Sequence, residues 1–590
     1  MEITLKMFSS FTRFRSIIVL LGATLLLPAC GGGDKVKQQR DPNSGLAKPK
    51  ISSTGWITNP QVKTRSRDQL MFLILTAEMA AQNDQLAVSV ASYLEAARYS
   101  SDPRIAERAT RVASFARDYK SALLAAERWA ELKPQQLDVH HSLVILYIRN
   151  KLLDKAVEAA ETVLRLTQKS QIQGFGHLIA LLNKEADQEL VMKLIDRVVA
   201  RHNTEPEAHF TSARLSFQFK QYDKAQASVQ QALKLNPAME SAQSLQSRIY
   251  MLQGKSDQAL AIMEALVKKH PESIVHRSSY ARLLAVAKRY DNALVQFEKV
   301  LEVDPENTDV LYALALLTLE QRKLKTSKQY FLRLLAQQKR VYDSYYYLGS
   351  IAEQQKNYAK GISWYKQVIH GQHKLSASIR IAQLLALQGK LVEARAHINE
   401  LIKKDPGLSV RLRVIEIDLL TKAKDYSTAM QVANQSLLDN EGDVDLLYAR
   451  SMLAEKVDDL ALAEADLRKI LEQDKDNVHA LNALGYTLAD RTVRLQEALG
   501  YIERALKLSP TEPAILDSMG WVLYRLGRME EAIAFLRQAL DISQDDEIAA
   551  HLGEVLWVSG KKAEARELWN KTIKEVPDSI HIKKVLKRFK

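Results

Sequence analysis

Apolar residues between positions 510 and 577 recur three and four residues apart, the spacing that places side chains on one face of an α-helix. Two such helical segments follow one another, and the pair repeats after 33 residues. Small residues occur where two helices must touch closely, Gly520 opposite Ala532 in the first pair and Gly553 opposite Ala565 in the second. The pattern predicts two consecutive helix-turn-helix units.

The same small position recurs along almost the whole chain when the register is extended from Ala532. Every step between successive positions is 33, 34 or 35 residues. Prolines fall between the units, where a missing N–H and a fixed φ end the preceding helix. The pattern therefore predicts one uninterrupted array of helical hairpins from about Leu70 to Lys590. The small positions are Ala87, Ala122, Ala156, Val191, Ala225, Ala259, Ala293, Ser327, Gly361, Ala394, Ala429, Ala463, Ala498, Ala532 and Ala565, and the prolines are Pro134, Pro237, Pro271, Pro305, Pro406, Pro510 and Pro577.

A unit of about 34 residues with small residues at its helix contacts resembles the tetratricopeptide repeat. The resemblance implies an all-α fold, a right-handed superhelical solenoid of about 14 repeats that follows a signal peptide and a flexible tether. We expect residues 135–590 to form the solenoid and residues 68–134 to form a helical region before it. No convincing strand alternation interrupts the helical periodicity.

The formal net charge of +13 is spread through the repeats instead of being gathered into one block. It is therefore a weak argument for nucleic-acid binding, and a basic solvated surface explains it as well. Abundant Ala, Leu, Gln, Glu and Lys favour helix over strand. We expect no nucleic-acid partner.

The first thirty residues carry the pattern of an export signal. Positive charges precede an apolar run over residues 17–27, which is shorter than the ~20 residues of a membrane-spanning helix. The run closes with the letters LPAC, whose cysteine, Cys30, is the only one in the chain. This ending resembles the bacterial lipobox, which implies a signal peptide over residues 1–29 and lipidation of Cys30. An ordinary signal peptide with an incidental cysteine is the alternative.

The residue after the cysteine is Gly31. Lipoproteins with a residue other than Asp there are usually sorted to the outer membrane, so the resemblance implies a chain that is lipid-anchored in that membrane and faces the periplasm. Several acyl chains give durable attachment, because each buried CH₂ contributes ~0.8 kcal/mol. Residues 30–67 are rich in Gly, Pro and basic side chains, which predicts a flexible tether after the lipidated cysteine.

Apolar positions over residues 68–134 are denser than one amphipathic face requires. Either this region is a well-buried cap, or its extra face meets a partner chain. A terminal unit of a solenoid normally turns a polar face outward, so an apolar first hairpin indicates a partner-docking surface. The candidate residues of this docking surface are Leu70, Phe72, Leu73, Leu75 and Met79.

The sequence contains no recognisable catalytic motif. The sequence contains no His-Glu-x-x-His, no Gly-rich phosphate loop and no Gly-x-Ser-x-Gly elbow. Adjacent histidines such as His140 and His141 point to different sides of a helix, and His370 and His373 have no acidic or Cys partner nearby in sequence. The sequence therefore predicts a non-enzymatic protein with no cofactor, metal site or small-molecule substrate.

First helices line the groove that binds protein segments in the tetratricopeptide family. Aromatic side chains offer large contact area at low entropic cost, and an Asn amide can hold a peptide backbone through a donor and an acceptor together. For Trp521, Tyr524 and Trp557, packing between neighbouring units is the open alternative. The family's groove positions fall on His479, Asn482, Tyr486, Asp517, Trp521, Tyr524, Glu554 and Trp557, and further back on Asp309, Tyr312, Asp343, Tyr346 and Glu353.

Three stretches carry a narrower resemblance: AERATRVASFARDYKSALLAAERWAELKP at residues 106–134, NALGYTLADRTVRLQEAL at 482–499 and PAILDSMGWVLYRLGR at 513–528. They resemble the long outer-membrane tetratricopeptide lipoproteins that act as binding partner of a periplasmic carboxyl-terminal processing protease. The resemblance implies an adaptor that brings substrates, expected to be cell-wall hydrolases, to that protease.

Two rival functions remain open at the level of sequence. One is a structural lipoprotein that assists an envelope complex such as a pilus secretin or a cell-wall synthase. The other is an enzyme with an unrecognised site, which stacked repeats disfavour because their buried residues are used for packing between units.

Overall fold

The computed structural model describes residues 67–167 and 171–589. Across these residues the secondary structure consists of thirty-one α-helices and one 3₁₀ turn at Pro406–Leu408, with no strand. The predicted all-α fold of stacked helical hairpins is confirmed. Successive helices form fifteen pairs in chain order, where about 14 repeats were predicted. In each pair the first helix has an odd number and the second an even number.

The chain divides into two compact units, whose described parts are residues 67–317 and 318–589. The first unit contains α1 (Arg67–Gln82), α2 (Leu86–Tyr99), α3 (Pro103–Phe115), α4 (Tyr119–Leu132), α5 (Leu137–Arg149), α6 (Leu153–Leu166), α7 (Gln171–Leu182), α8 (Gln188–Arg201), α9 (Pro206–Gln218), α10 (Tyr222–Leu235), α11 (Glu240–Leu252), α12 (Ser256–Lys269), α13 (Ile274–Val286), α14 (Tyr290–Val303) and most of α15 (Thr308–Glu320).

The second unit holds the end of α15 and the remaining sixteen helices. They are α16 (Leu324–Ala336), α17 (Val341–Gln354), α18 (Tyr358–Tyr365), α19 (Lys374–Leu387), α20 (Leu391–Lys404), α21 (Ser409–Lys422), α22 (Tyr426–Asp439), α23 (Val444–Lys456), α24 (Leu460–Gln473), α25 (Val478–Arg491), α26 (Leu495–Leu508), α27 (Pro513–Arg525), α28 (Met529–Ile542), α29 (Asp546–Val558), α30 (Lys562–Glu575) and the unpaired α31 (Ile580–Arg588).

The predicted small positions occupy one equivalent place, the fourth residue of an even-numbered helix. Ala225, Ala259 and Ala293 hold this place in α10, α12 and α14 of the first unit, and Ala532 holds it in α28 of the second. All four are fully buried. The register predicted from the sequence is confirmed at these positions.

The register fails in the first pair of helices. Ala87 is the exposed second residue of α2, and the buried fourth residue is Ser89. The prediction at Ala87 was wrong by two residues, because the start of α2 at Leu86 decides which small side chain faces α1.

In most pairs the turn between the two helices contains a residue with positive φ. Gly254 (φ 76°) and Gly527 (φ 82°) take this conformation without a Cβ clash. Other turns place one non-glycine residue in it, such as Lys288 (φ 60°). Aspartates then start several second helices, as at Asp425 and Asp459, where the side chain accepts a hydrogen bond from a first-turn amide. Local chemistry therefore fixes both ends of the hairpin turn.

The close helix contact predicted in the pair α27 and α28 is present. A Cβ built on Gly520 would lie 2.5 Å from Leu536 Cγ and 3.1 Å from the Ala532 carbonyl oxygen. In the pair α29 and α30, the three atoms nearest to a Cβ built on Gly553 all belong to Trp569. The large indole fills the space beside the glycine and becomes the nearest neighbour.

Residues 68–134 contain α1 to α4, which are two helix pairs of the same layout as those that follow. The predicted signal peptide (1–29), the lipidation site Cys30 and the tether up to residue 66 lie outside the described residues. In the part of the chain that is described, no helix has the length and apolar character needed to cross a membrane.

Candidate protein-binding surfaces

The predicted groove residues from His479 to Trp557 lie on the first helices α25, α27 and α29 of the second unit. At their centre is His551, which the sequence analysis did not select. The rings of Trp521 and His551 stack with centroids 4.4 Å apart, and the Tyr486 ring lies 6.3 Å from that of His551. His551 Nδ1 donates to the Asp517 carboxylate at 3.0 Å. The structure thus brings Tyr486, Asp517 and Trp521 together around one imidazole.

Electrostatics in this cluster favour a charged imidazole. Burial lowers the pKa of His551, but the carboxylates of Asp517, Glu547 and Glu554 together raise it more, so the net pKa is raised. Burial, with the nearby carboxylates, also raises the pKa of Tyr486 well above its usual value. The cluster therefore holds a His–Asp pair beside a phenol that stays protonated.

Trp521 and Tyr524 are tied to neighbouring helices by hydrogen bonds. Trp521 is only 8% exposed, and its Nε1 donates to Asp490 Oδ1 at 3.1 Å. Tyr524 donates through its hydroxyl to Glu554 Oε1 at 3.4 Å, and Arg588 of α31 pairs with the same carboxylate at 2.8 Å. These contacts match the packing alternative for Trp521 and Tyr524, and they engage Glu554 as well.

Trp557 lies in an aromatic stack at the C-terminal end of the chain. Its ring centroid lies 5.8 Å from that of Trp569 and 5.9 Å from that of Phe589. The guanidinium of Arg566 lies 4.9 Å from the Trp557 ring centroid. Trp557 therefore packs against α30 and the residue that follows α31.

His479 and Asn482 lie at the N-terminal end of α25. His479 is exposed at the start of α25, and Asn482 is partly buried one turn later. Within the described residues the side-chain oxygen of Asn482 is buried and has no hydrogen-bond partner. An amide oxygen in this state can accept from the backbone N–H of a bound segment.

The earlier groove positions of the second unit form a separate group on α17. Tyr346 stacks on His373 with centroids 4.2 Å apart, and His373 Nε2 lies 3.7 Å from Asp343. Burial lowers the pKa of His373 more than Asp343 raises it. Glu353 accepts from the Tyr365 hydroxyl at 3.1 Å and also pairs with an arginine of α19, so its carboxylate is already engaged.

The remaining groove positions, Asp309 and Tyr312, belong to the first unit. Asp309 is exposed in the first turn of α15, whereas Tyr312 is only 3% exposed. Of these two residues, Asp309 is the one placed to meet a partner.

The predicted docking surface divides into buried and exposed residues. Leu73 is buried and packs within the first pair of helices, and Leu70 is partly buried. Phe72, Leu75 and Met79 are 69%, 56% and 63% exposed. At spacings of three and four they share one side of α1, so three of the five candidates form an exposed apolar face, hereafter the α1 face.

The family of the chain follows from its relatives. Sequence profiles described as tetratricopeptide repeat match residues 216–286 and 494–552, and a second set matches residues 312–374 and 448–513. A TPR repeat-containing protein of Pseudomonas aeruginosa is 33% identical over 547 residues, which span 91% of this chain and 90% of that protein. The chain belongs to the tetratricopeptide-repeat proteins.

Solved structures with a similar fold include other repeat proteins, all at low scores. A Thermus thermophilus tetratricopeptide protein gives a TM-score of 0.28 at 20% identity and covers 30% of this chain and 95% of its own. The Cut9–Hcn1 complex of APC/C gives a TM-score of 0.32 at 15% identity and covers 89% of this chain and 96% of its own. The type IV pilus biogenesis factor PilW gives a TM-score of 0.30 at 16% identity and covers 37% of this chain and 100% of its own. Scores in this range carry no functional argument.

Tetratricopeptide-repeat proteins are in general non-catalytic scaffolds that bind other proteins. In residues 67–167 and 171–589 of this one, no three His, Cys, Asp or Glu side chains are grouped as metal ligands would be. Binding of proteins is the function that the family supports.

Sequence reasoning missed three residues of the C-terminal cluster in this tetratricopeptide-repeat protein. His551 contacts Asp517 across 34 residues, Arg588 contacts Glu554 across 34, and Asp490 contacts Trp521 across 31. Each pair consists of a donor side chain and a carboxylate about one repeat apart in sequence, and this spacing could have identified the three residues.

Proposed function

We propose that this tetratricopeptide-repeat protein is a non-enzymatic adaptor, anchored by a lipid on Cys30 in the outer membrane and facing the periplasm. The adaptor binds a periplasmic carboxyl-terminal processing protease and the protein substrates of that protease, expected to be cell-wall hydrolases, and promotes their proteolysis.

The observation that carries the proposal is the α1 face. Phe72, Leu75 and Met79 are large apolar side chains that are all more than half exposed at the first described helix. Solenoids normally close their ends with polar surfaces, because exposed apolar area favours association. An apolar end is therefore suited to hold a partner protein.

Support also comes from how firmly α1 is attached. Glu78 of α1 accepts a hydrogen bond from the hydroxyl of Tyr93 on α2 and forms an ion pair with Arg108 of α3 at 3.0 Å. The pKa of Glu78 is lowered, first by the Tyr93 hydrogen bond and then by Arg108, against the effect of burial. Through Glu78, α1 is tied to both α2 and α3, which helps to fix the orientation of its apolar face and reduces the entropic cost of binding.

A second surface is needed for the substrate. We assign it to the start of α25, where His479 is exposed and the Asn482 amide oxygen lacks a partner among the described residues. An adaptor that holds both proteins raises their effective concentration to roughly the millimolar range for short flexible connections, without changing the chemistry of the protease.

Affinity capture from envelope extracts tests the docking step. The tagged full chain is compared with a variant carrying Phe72→Ser, Leu75→Ser and Met79→Ser. The control variant carries Val392→Ser, Leu438→Ser and Val493→Ser, which removes three exposed apolar side chains from the second unit. We expect the protease to be lost with the α1 variant and retained with the control.

Proteolysis assays complete the test. Purified protease, a cell-wall hydrolase and the full chain are mixed, and cleavage is followed with and without the adaptor. Faster cleavage that needs the α1 face supports the proposal. Protease capture that survives the α1 variant would remove the docking step, and recovery of a pilus or wall-synthesis complex instead of a protease would favour the structural-lipoprotein alternative.

A further inference from the structure

Three arginines of the first unit occupy the same position in three consecutive first helices. Arg214, Arg248 and Arg282 are the ninth residues of α9, α11 and α13, and each follows its predecessor by 34 residues. Each comes directly after a fully or almost fully buried small residue, so each has the same place relative to the helix contact. Equivalent positions in stacked repeats align, and we call these residues the arginine column.

The members of the column are close enough to influence one another. The pKa of Arg248 is lowered to about 10, first by burial and then by the positive charges of Arg214 and Arg282. The guanidinium carbon of Arg248 lies 4.5 Å from the ring centroid of Phe217, which is one turn beyond Arg214 on α9. Arg248 therefore reaches back over the preceding repeat, toward the first arginine.

Acidic groups near the column are unevenly placed. Asp309, at the start of α15, raises the pKa of Arg282, although burial lowers it more. Glu240, at the start of α11, is held by Lys269 at 2.8 Å and by the histidine His270 at 2.6 Å. A carboxylate thus lies beside the Arg282 end of the column.

We propose that the arginine column binds an extended acidic segment of a partner protein, with one carboxylate for each arginine. Guanidinium groups bind carboxylates through two parallel hydrogen bonds and remain charged when partly buried. Packed helices lie ~8–10 Å apart. A chain in the polyproline II conformation has three residues per turn and rises ~3.1 Å per residue, so a segment with Asp or Glu at every third position presents its carboxylates on one side at about that spacing.

A peptide suits this surface better than a uniform polyanion. Asp309 stands at the Arg282 end and would repel a run of phosphates, whereas a peptide can place a neutral spacer opposite Asp309 and still offer a carboxylate to each arginine. The inference rests on the proposed role as a protein-binding scaffold, but it needs neither the α1 face nor the protease.

Binding of defined peptides to the full chain tests the column. The probe is a fluorescein-labelled 13-residue peptide with Glu at every third position and neutral spacers, and the matched peptide carries Gln in place of Glu. The column variant combines Arg214→Gln, Arg248→Gln and Arg282→Gln. The control variant combines Lys220→Gln, Lys234→Gln and Lys288→Gln, which removes the same charge from exposed positions in the first and third of these repeats.

Fluorescence anisotropy at fixed salt is expected to show saturable binding of the Glu peptide and none of the Gln peptide. We expect the column variant to bind at least tenfold more weakly and the control variant within twofold of the unaltered chain. The Glu peptide should also raise the melting temperature of the unaltered chain and not that of the column variant. If circular dichroism shows that the triple variant is unfolded, the single variant Arg214→Gln serves as the test, since Arg214 is exposed. We expect this variant to lose at least threefold in affinity for the Glu peptide.

Equal losses in the column and control variants would overturn the proposal, because binding would then follow net charge alone. Tighter binding of a single-stranded oligonucleotide or of anionic phospholipid vesicles than of the Glu peptide would overturn it as well. Protease capture by the α1 face uses other residues and another ligand, so failure of either proposal leaves the other standing.

Discussion

Gly553 of α29 lies so close to Trp569 of α30 that a Cβ on the glycine would overlap the indole ring. Trp569 is fully buried, so the ring cannot move aside without disturbing its neighbours. We expect Gly553→Ala to destabilise the last helix pairs by ~1–3 kcal/mol, because overpacking outweighs the better helix propensity of alanine. Hydrogen exchange of α29 and α30 measures the effect.

The matched control is Gly500→Ala in α26. No atom lies within 4 Å of the position that its Cβ would take, and the residue is exposed in the middle of its helix. We expect a gain of ~0.5–1 kcal/mol in the stability of that pair of helices. A gain of similar size at Gly553 would contradict the close contact with Trp569.

A fully buried carboxylate gives the second prediction. Glu416 of α21 is 0% exposed and is paired with Arg395 of α20 at 2.7 Å and with Arg413 of its own helix at 2.5 Å. Replacing both arginines by alanine leaves a buried charge without its partners, which costs ~3–5 kcal/mol in proteins. We expect a loss of that order, measured by denaturant unfolding.

Adding Glu416→Gln to the double alanine variant removes the charge and should recover most of that stability. Arg528→Ala breaks an exposed pair with Glu531 and should leave stability nearly unchanged. Failure of Glu416→Gln to recover stability would show that the arginines act through packing of their side chains instead of their charge.

The third prediction concerns pH and His202, which follows α8. His202 Nε2 lies 2.9 Å from Glu161 and Nδ1 lies 2.7 Å from Glu205. Burial lowers the pKa of His202, but the hydrogen bonds to the two carboxylates outweigh it and raise the net pKa. A raised folded-state pKa adds stability that is complete below the unfolded value of ~6.5 and is lost as pH rises through the folded-state value.

His202→Asn should therefore destabilise α6 and α8 more at pH 5.5 than at pH 8.5, as measured by hydrogen exchange of these helices. His140→Asn is the control, because the His140 ring contacts the Pro134 carbonyl oxygen at 2.9 Å and has no such pair of carboxylates in the described residues. An equal effect of His202→Asn at both pH values would contradict the assignment.

The fold was predictable because a helix crossing tolerates only a small side chain at its closest point. That requirement repeats with the hairpin, so one position such as Ala532 predicts Ala225 about half of the chain away. The first pair could not be predicted as well, since several small residues compete there and only the start of α2 selects Ser89 over Ala87. Spacing alone does not fix where a helix begins.

The candidate site was predictable to the level of helices and not of side chains. The residues predicted to line the groove lie on α25, α27 and α29, but Trp521 is covered by His551 and Trp557 by Phe589. Such contacts depend on rotamers across neighbouring repeats, which a periodic pattern does not encode. The same limit explains why the arginine column, visible as a step of 34 residues, was not singled out from other basic residues.

The last prediction separates packing from binding in the C-terminal cluster. Trp521 is buried and hydrogen-bonded to Asp490, so Trp521→Ala should cost ~3–5 kcal/mol and loosen α25 to α29. Asn482→Ala removes a buried amide oxygen that has no partner in the described residues, so it should leave stability unchanged or slightly raised.

For substrate binding we expect the reverse: Asn482→Ala weakens binding directly, whereas Trp521→Ala weakens it only through the loss of stability. Asn482→Ala is expected to weaken substrate binding several-fold at unchanged melting temperature, because the bound segment loses an acceptor for its backbone N–H. Trp521→Ala should weaken binding only to the extent that the helices unfold, so that binding recovers when the temperature is lowered. Calorimetric titration at two temperatures measures both. If Asn482→Ala left substrate affinity unchanged, the assignment of the substrate surface to α25 would be wrong. Among the predicted groove residues of α25, α27 and α29, Asn482 is the one with a buried side-chain oxygen that lacks a hydrogen-bond partner in the described chain.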